Sequence, residues 1–212
     1  MVVRAQRPED PEDKAAVRRV ITEAFGPEGA KVADLAEALA ASMNNRLSFV
    51  AEHAEQEGQA TQQGQATQLG QAGQEGQAAQ QGQAGQEGQV VGHVQLSRSW
   101  VDAPARLVDV LVLSPLGVLP RYQSKGIGKQ LVARSIAEAE KAGAPMLFLE
   151  GSPAYYSRLG FEPGGRHGFT RPSVRIPEAA FQVVLLPAYE PWMTGALVYN
   201  EQFWAHDCVG LR

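Results

Sequence analysis

The chain has 212 residues, a formal net charge of -4, and 44% hydrophobic against 20% charged residues, enough apolar material for one domain with a substantial core. That charge balance, with no basic tract, excludes the footprint of a nucleic-acid-binding protein. The single cysteine, Cys208, excludes an intrachain disulfide and suits a cytoplasmic protein.

The N-terminus lacks the apolar core of a signal peptide, and no apolar run reaches membrane-spanning length. Val2 to Arg7 reads as a first strand. Asp10 then caps a helix with Pro11 at its first position. Val17, Val20, Ile21, Ala24 and Phe25 follow at helical spacing, and Gly26 ends the run. A second helix from about Ala30 to Ser42 turns Val32, Leu35, Ala36 and Leu39 inward. Leu47 to Ala54 and Gln89 to Trp100 read as the two strands of a hairpin. In the second, Gly92, Val94 and Leu96 alternate with His93, Gln95 and Ser97, which predicts one covered face and one more polar face.

Between those strands, from Gln59 to Gln89, every third residue is Gln, most often preceded by Gly. Residues from about 55 to 89 therefore read as a low-complexity expansion in a hairpin turn, where extra length adds little to the cost of loop closure. The segment is either a solvated tether or an extended period-three helix packed on itself or on another copy.

Arg106 to Leu113 reads as a strand with apolar residues on both sides of Asp109, the pattern of a central strand covered on both faces. A helix is predicted from Ile127 to Ala142 and a strand from Pro145 to Glu150. This strand–helix–strand order implies a parallel pair with a right-handed crossover. A short helix, Ala154 to Leu159, and a last clear strand, Ala180 to Pro187, complete the pattern.

The most informative stretch runs from Leu113 to Gly128. Gln123 to Gly128 is a short loop with two glycines at the mouth of a helix. Uncapped backbone N–H groups and the positive end of the helix dipole converge there, which makes a site for an anion such as a diphosphate. The dinucleotide fingerprint and the Walker loop are both absent. The string Leu116-Gly117-Val118-Leu119-Pro120, then Tyr122-Gln123-Ser124-Lys125-Gly126-Ile127-Gly128, resembles the acyl-CoA signature of the GNAT superfamily of N-acetyltransferases. That signature is Gln or Arg, two residues, Gly, one residue, Gly or Ala. A second run, Glu150 to Phe161, is similar to the family's pattern at Tyr156, Leu159, Gly160 and Phe161. The tail from Pro177 through Val198-Tyr199 is similar to that of one bacterial branch of these enzymes.

The resemblance implies an α/β (α+β) GNAT fold. Its mixed, mostly antiparallel sheet of six to seven strands would be splayed at the central parallel pair, with helices on both faces. CoA would lie in the split, held by Leu116, Gly117, Val118, Gln123, Ser124, Lys125, Gly126, Ile127, Gly128, Lys129 and Tyr156. The implied activity moves an acetyl group from acetyl-CoA to a primary amine by direct attack in a ternary complex, with no metal. Tyr156 would protonate the leaving thiolate, and Tyr155 is expected to be a core or substrate-wall residue. The general base stays open among Glu150 (first), Asp109, His93 and ordered water. Cys208 shows no activating arrangement, so no acyl-cysteine is expected. The expected partner is a small-molecule or peptide amine, not nucleic acid or membrane, and pairing as a homodimer stays open. The rival expectation is a non-catalytic acyl-CoA sensor or scaffold with the repeat as its interaction arm.

Overall fold

The computed structural model describes residues 1–53 and 88–210 of the chain. The expectations for the period-three segment fall outside the described residues, apart from its last two positions, Gly88 and Gln89. Eight strands form one sheet among the described residues. They are β1 (Val2–Ala5), β2 (Asn45–His53), β3 (Gln89–Asp102), β4 (Leu107–Val118), β5 (Met146–Glu150), β6 (Glu162–Pro163), β7 (Phe181–Leu185) and β8 (Ala196–Val198). The spatial order is β1-β2-β3-β4-β5-β7-β6, with β8 beside β3. All pairs are antiparallel except β4 with β5. The strand beyond the expected six to seven is β8, whose three residues are too few to show a period in the sequence.

Helix α1 (Pro11–Phe25) begins where Asp10 accepts a hydrogen bond from the Glu12 N–H at 2.9 Å and Pro11 sets the first turn. With α2 (Gly29–Ala41) it covers one face of the sheet, where Gly117 lies against Val20, Ile21 and Ala24. Helix α3 (Ile127–Lys141) covers the other face, where Gly92 lies against Ile127 and Leu131. Among the described residues, no helix is long and apolar enough to cross a membrane.

Strand β3 departs from its expected half-polar pattern. His93, Gln95, Ser97 and Ser99 are all buried. Helices α1 and α2 lie over the first two, and Asn200 reaches Ser97 from the C-terminal segment. Some of the polar atoms find partners inside, His93 Nε2 at 2.9 Å from Ser48 Oγ and Gln95 Nε2 donating to Asn45 Oδ1 at 3.3 Å, while His93 Nδ1 and Ser99 Oγ are buried without one.

Two departures from regular pairing shape the centre of the sheet. Ser114 and Pro115, joined by a cis peptide bond, together face the single residue Gln95, which makes a bulge in β4. The parallel ladder joins β4 to β5 only at Leu111–Leu147 and Val112–Phe148. Beyond it, Leu149 and Glu150 pair with Gln182 and Phe181 of β7, while β4 runs on beside β3 to Val118. The two central strands thus fork, and the fork is lined by the β4 residues that follow Val112.

Candidate active site

The fork opens at two places that share Leu116. The first is a groove of about 350 Å³ lined by Val118, Gln123, Ser124, Gly126, Gly128 and Lys129, among others. It is the loop expected to take the diphosphate. Gly126 sits at φ 81° as the residue before α3, in left-handed backbone where a side chain is strained. No side chain caps this helix, so its first N–H groups face the groove. Gln123 Nε2 donates to the Val118 carbonyl at 3.0 Å and ties the loop to the strand end. A Cβ on Gly128 would stand 2.5 Å from the Tyr155 hydroxyl, so this glycine lets Tyr155 reach the loop. Tyr155 lines the groove and belongs with the loop, a placement that helix spacing alone had not indicated.

The strand supplies its own donors. The Leu119 N–H donates to the Val91 carbonyl at 2.9 Å, and His93 stands opposite Gly117. Antiparallel alternation therefore turns the peptide groups of Gly117 and Leu119 toward β3, and those of Leu116 and Val118 toward the fork.

The second opening is a cavity of about 510 Å³. Leu113, Ser114, Pro115 and Leu116 form one wall, and Glu150, Gly151 and Ser152 form the other. Tyr156, at the end of the short helix α4 (Pro153–Tyr156), lines it too, with its ring against Gly151 and edge-on to Phe161. Burial pushes the Tyr156 phenol well up, so it stays protonated. Glu150 Oε1 accepts the Tyr199 hydroxyl at 2.7 Å, and Oε2 accepts the Gly210 N–H at 3.1 Å. Burial raises the Glu150 carboxyl above its ordinary range, while these two donors pull it back in part.

Two of the proposed bases lie elsewhere. Asp109 is at the opposite end of β4, about 23 Å along the strand from Leu116 at roughly 3.3 Å per residue. Its carboxylate is exposed and gripped by Arg98 at 2.6 Å and 2.7 Å. His93 lies in the sheet under α1 and α2, facing a separate cavity. Burial pushes its imidazole down to about 3, too weak a base for an ammonium proton. Of the three named side chains, Glu150 alone stands in the fork.

A model of the Acetyltransferase (GNAT) family matches residues 47–161, more than half of the chain. The chain belongs to the GNAT family. It is 33% identical over 109 residues to the uncharacterized N-acetyltransferase YjhQ of Escherichia coli K12, a match covering 50% of this chain and 60% of YjhQ. It is 34% identical over 117 residues to YhbS of the same strain, covering 54% of this chain and 67% of YhbS. The fold is that of the crystal structure of Escherichia coli YhbS in complex with CoA, with a TM-score of 0.70, 24% identity, and 95% and 91% of the two chains covered. A GNAT acetyltransferase from Brucella melitensis in complex with acetyl-CoA gives a TM-score of 0.63 at 25% identity, covering 95% and 97%.

Within this GNAT fold, several lining residues carried no signal in the sequence. Phe25 and Glu28 reach the cavity from the end of α1 and the turn after it. Tyr199, Cys208 and Gly210 return to it from the C-terminal segment, more than forty positions after Glu150. Burial pushes the Cys208 thiol up to about 11, which keeps it protonated and a weak nucleophile.

Proposed function

We propose that this GNAT protein is an acetyl-CoA-dependent N-acetyltransferase that acts on a primary amine by direct attack in a ternary complex. The observation that carries the reading is the fork itself. It joins an uncapped glycine loop, strand N–H groups and a cavity with a carboxylate and a protonated phenol. The residues fit acetyl-CoA as co-substrate. The N–H groups at the start of α3 and the ammonium groups of Lys125 and Lys129 suit the diphosphate. The Leu116 and Val118 edge suits the pantetheine amides, and its N–H groups suit the thioester oxygen as charge gathers there.

Glu150 takes one proton from the incoming ammonium. Its raised proton affinity makes it a better base than an exposed carboxylate. The freed nitrogen attacks the thioester carbon, the C–N bond forms, and the C–S bond breaks. Tyr156 gives its proton to the departing sulfur and regains one from the nitrogen, leaving the amide, the CoA thiol and one proton for solvent.

Calorimetric titration with acetyl-CoA and with CoA tests the reading. Micromolar-range binding is expected, and Gly126→Glu should abolish it by placing a carboxylate and a strained backbone in the loop. A folded parent that binds neither ligand would sink the proposal.

A further inference from the structure

The cavity around Glu150 also restricts which amine can enter. Among the described residues that line it, the charged side chains are Glu28 and Glu150, both acidic. Much of the remaining wall is apolar, including Phe25, Leu113, Pro115 and Pro177. Two cations stand nearby, and each already has an anionic partner outside the cavity lining or on its rim. Arg175 Nη1 is 2.5 Å from Asp207 Oδ1 with its guanidinium over Trp204, and Lys31 Nζ is 2.5 Å from Glu28 Oε2. The carboxylate meant to meet the substrate is held on both oxygens, by Tyr199 and by the Gly210 N–H.

We infer that the acceptor is a primary amine with an apolar body and no carboxylate, an arylalkylamine or alkylamine rather than an amino acid. The inference rests on the acetyltransferase reading of the same cavity. A single ammonium meets Glu150 and leaves no charge unpaired. An amino acid would bring a third carboxylate into a partly desolvated space whose described lining offers Glu28, Glu150 and no cation. An anion buried without a partner is strongly disfavoured. The apolar body of the amine gains instead from contact with Phe25 and Pro177.

The test is CoA-thiol release from acetyl-CoA with a matched pair, 2-phenylethylamine and phenylalanine, alongside spermidine and a lysine-containing peptide. The expected kcat/KM for 2-phenylethylamine exceeds that for phenylalanine by on the order of a hundredfold, and exceeds those for the other two. Glu28→Lys, at a half-buried position on the rim, should narrow the phenylethylamine-to-phenylalanine ratio at least fivefold. Equal use of phenylalanine, preference for spermidine or the peptide, or a ratio indifferent to Glu28→Lys would overturn the inference. Tight acetyl-CoA binding with no turnover of any of the four amines would also overturn it, yet leave the cofactor site standing. Failure to bind acetyl-CoA at all would instead remove the reading beneath it.

Discussion

At the scale of single residues, the cavity assigns different work to two tyrosines. Tyr156 lines it with a phenol kept protonated by burial, while Tyr199 is buried behind Glu150 and donates to it. Tyr156→Phe should lower kcat at least tenfold with the Kd for CoA unchanged, as expected for loss of a proton donor. Steady-state rates and calorimetry separate the two quantities. Tyr199→Phe removes one of the contacts that lower the Glu150 pKa. In the proposed mechanism Glu150 serves as base only when deprotonated, so the rate should rise with pH through its pKa. The variant should therefore shift the acid limb of the kcat/KM profile to higher pH. The loop residues were legible because the acyl-CoA signature is local, six residues from Gln123 to Gly128. Tyr199 was not, because its meeting with Glu150 spans 49 positions and leaves no spacing rule. Asp109 misled for a related reason. Its apolar neighbours predicted cover on both faces, but Leu107 and Asp109 are exposed while Val108 and Val110 are buried, so full cover begins only further along β4.

At the scale of elements, β1 and α1 are pinned together by one carboxylate. Asp13 accepts from Arg4 Nη1 at 2.7 Å and Nη2 at 2.6 Å, and from the Arg7 N–H at 2.7 Å. The Arg4 contact, helped by the Arg7 N–H and opposed by burial, holds the Asp13 carboxyl down to about 2. The folded state thus binds this proton less readily than the unfolded chain does. The resulting stabilisation is complete above about pH 4 and is lost as pH falls toward about 2. Asp13→Asn should cost about 2 kcal/mol at pH 7. In urea melts across a pH series, the gap between variant and parent should close below about pH 4. His93 adds to acid sensitivity in a higher window. Kept neutral by burial down to about 3, it disfavours the fold increasingly as pH drops below about 6.5, the range where an unfolded histidine takes a proton. The helices were legible from their spacing and caps. The burial of the polar side of β3 was not, since it depends on what packs over it, and His93 and Gln95 alternate like surface residues.

For the whole molecule, the hairpin that carries the period-three segment starts and ends beside the glycine loop that precedes α3. Gln89 Oε1 accepts from Arg121 Nη2 at 2.9 Å and from the Tyr122 hydroxyl at 3.2 Å. The His53 ring stands 5.3 Å from that of Tyr122. Antiparallel pairing of β2 with β3 and of β3 with β4 puts the two at one end of the sheet, in agreement with these contacts. Removing residues 59–88 leaves five residues, 54–58, where there were 35, from 54 to 88. Chain-length entropy alone predicts a gain of about 1.7 kcal/mol on closing the shorter loop. Thermal melts of the deletion variant should therefore show a higher Tm, with acetyl-CoA affinity within about twofold of the parent because Gln89 and Tyr122 remain. A lower Tm would show that the segment contributes contacts of its own.

The hold of Gly210 on Glu150 has a practical side. Gly210 sits at φ 68°, and a Cβ there would stand 2.8 Å from the Arg175 Cβ and 2.9 Å from its carbonyl. A substitution made at this position to probe the C-terminal segment would therefore also move the N–H off Glu150, and would read as a defect in a carboxylate sixty positions away.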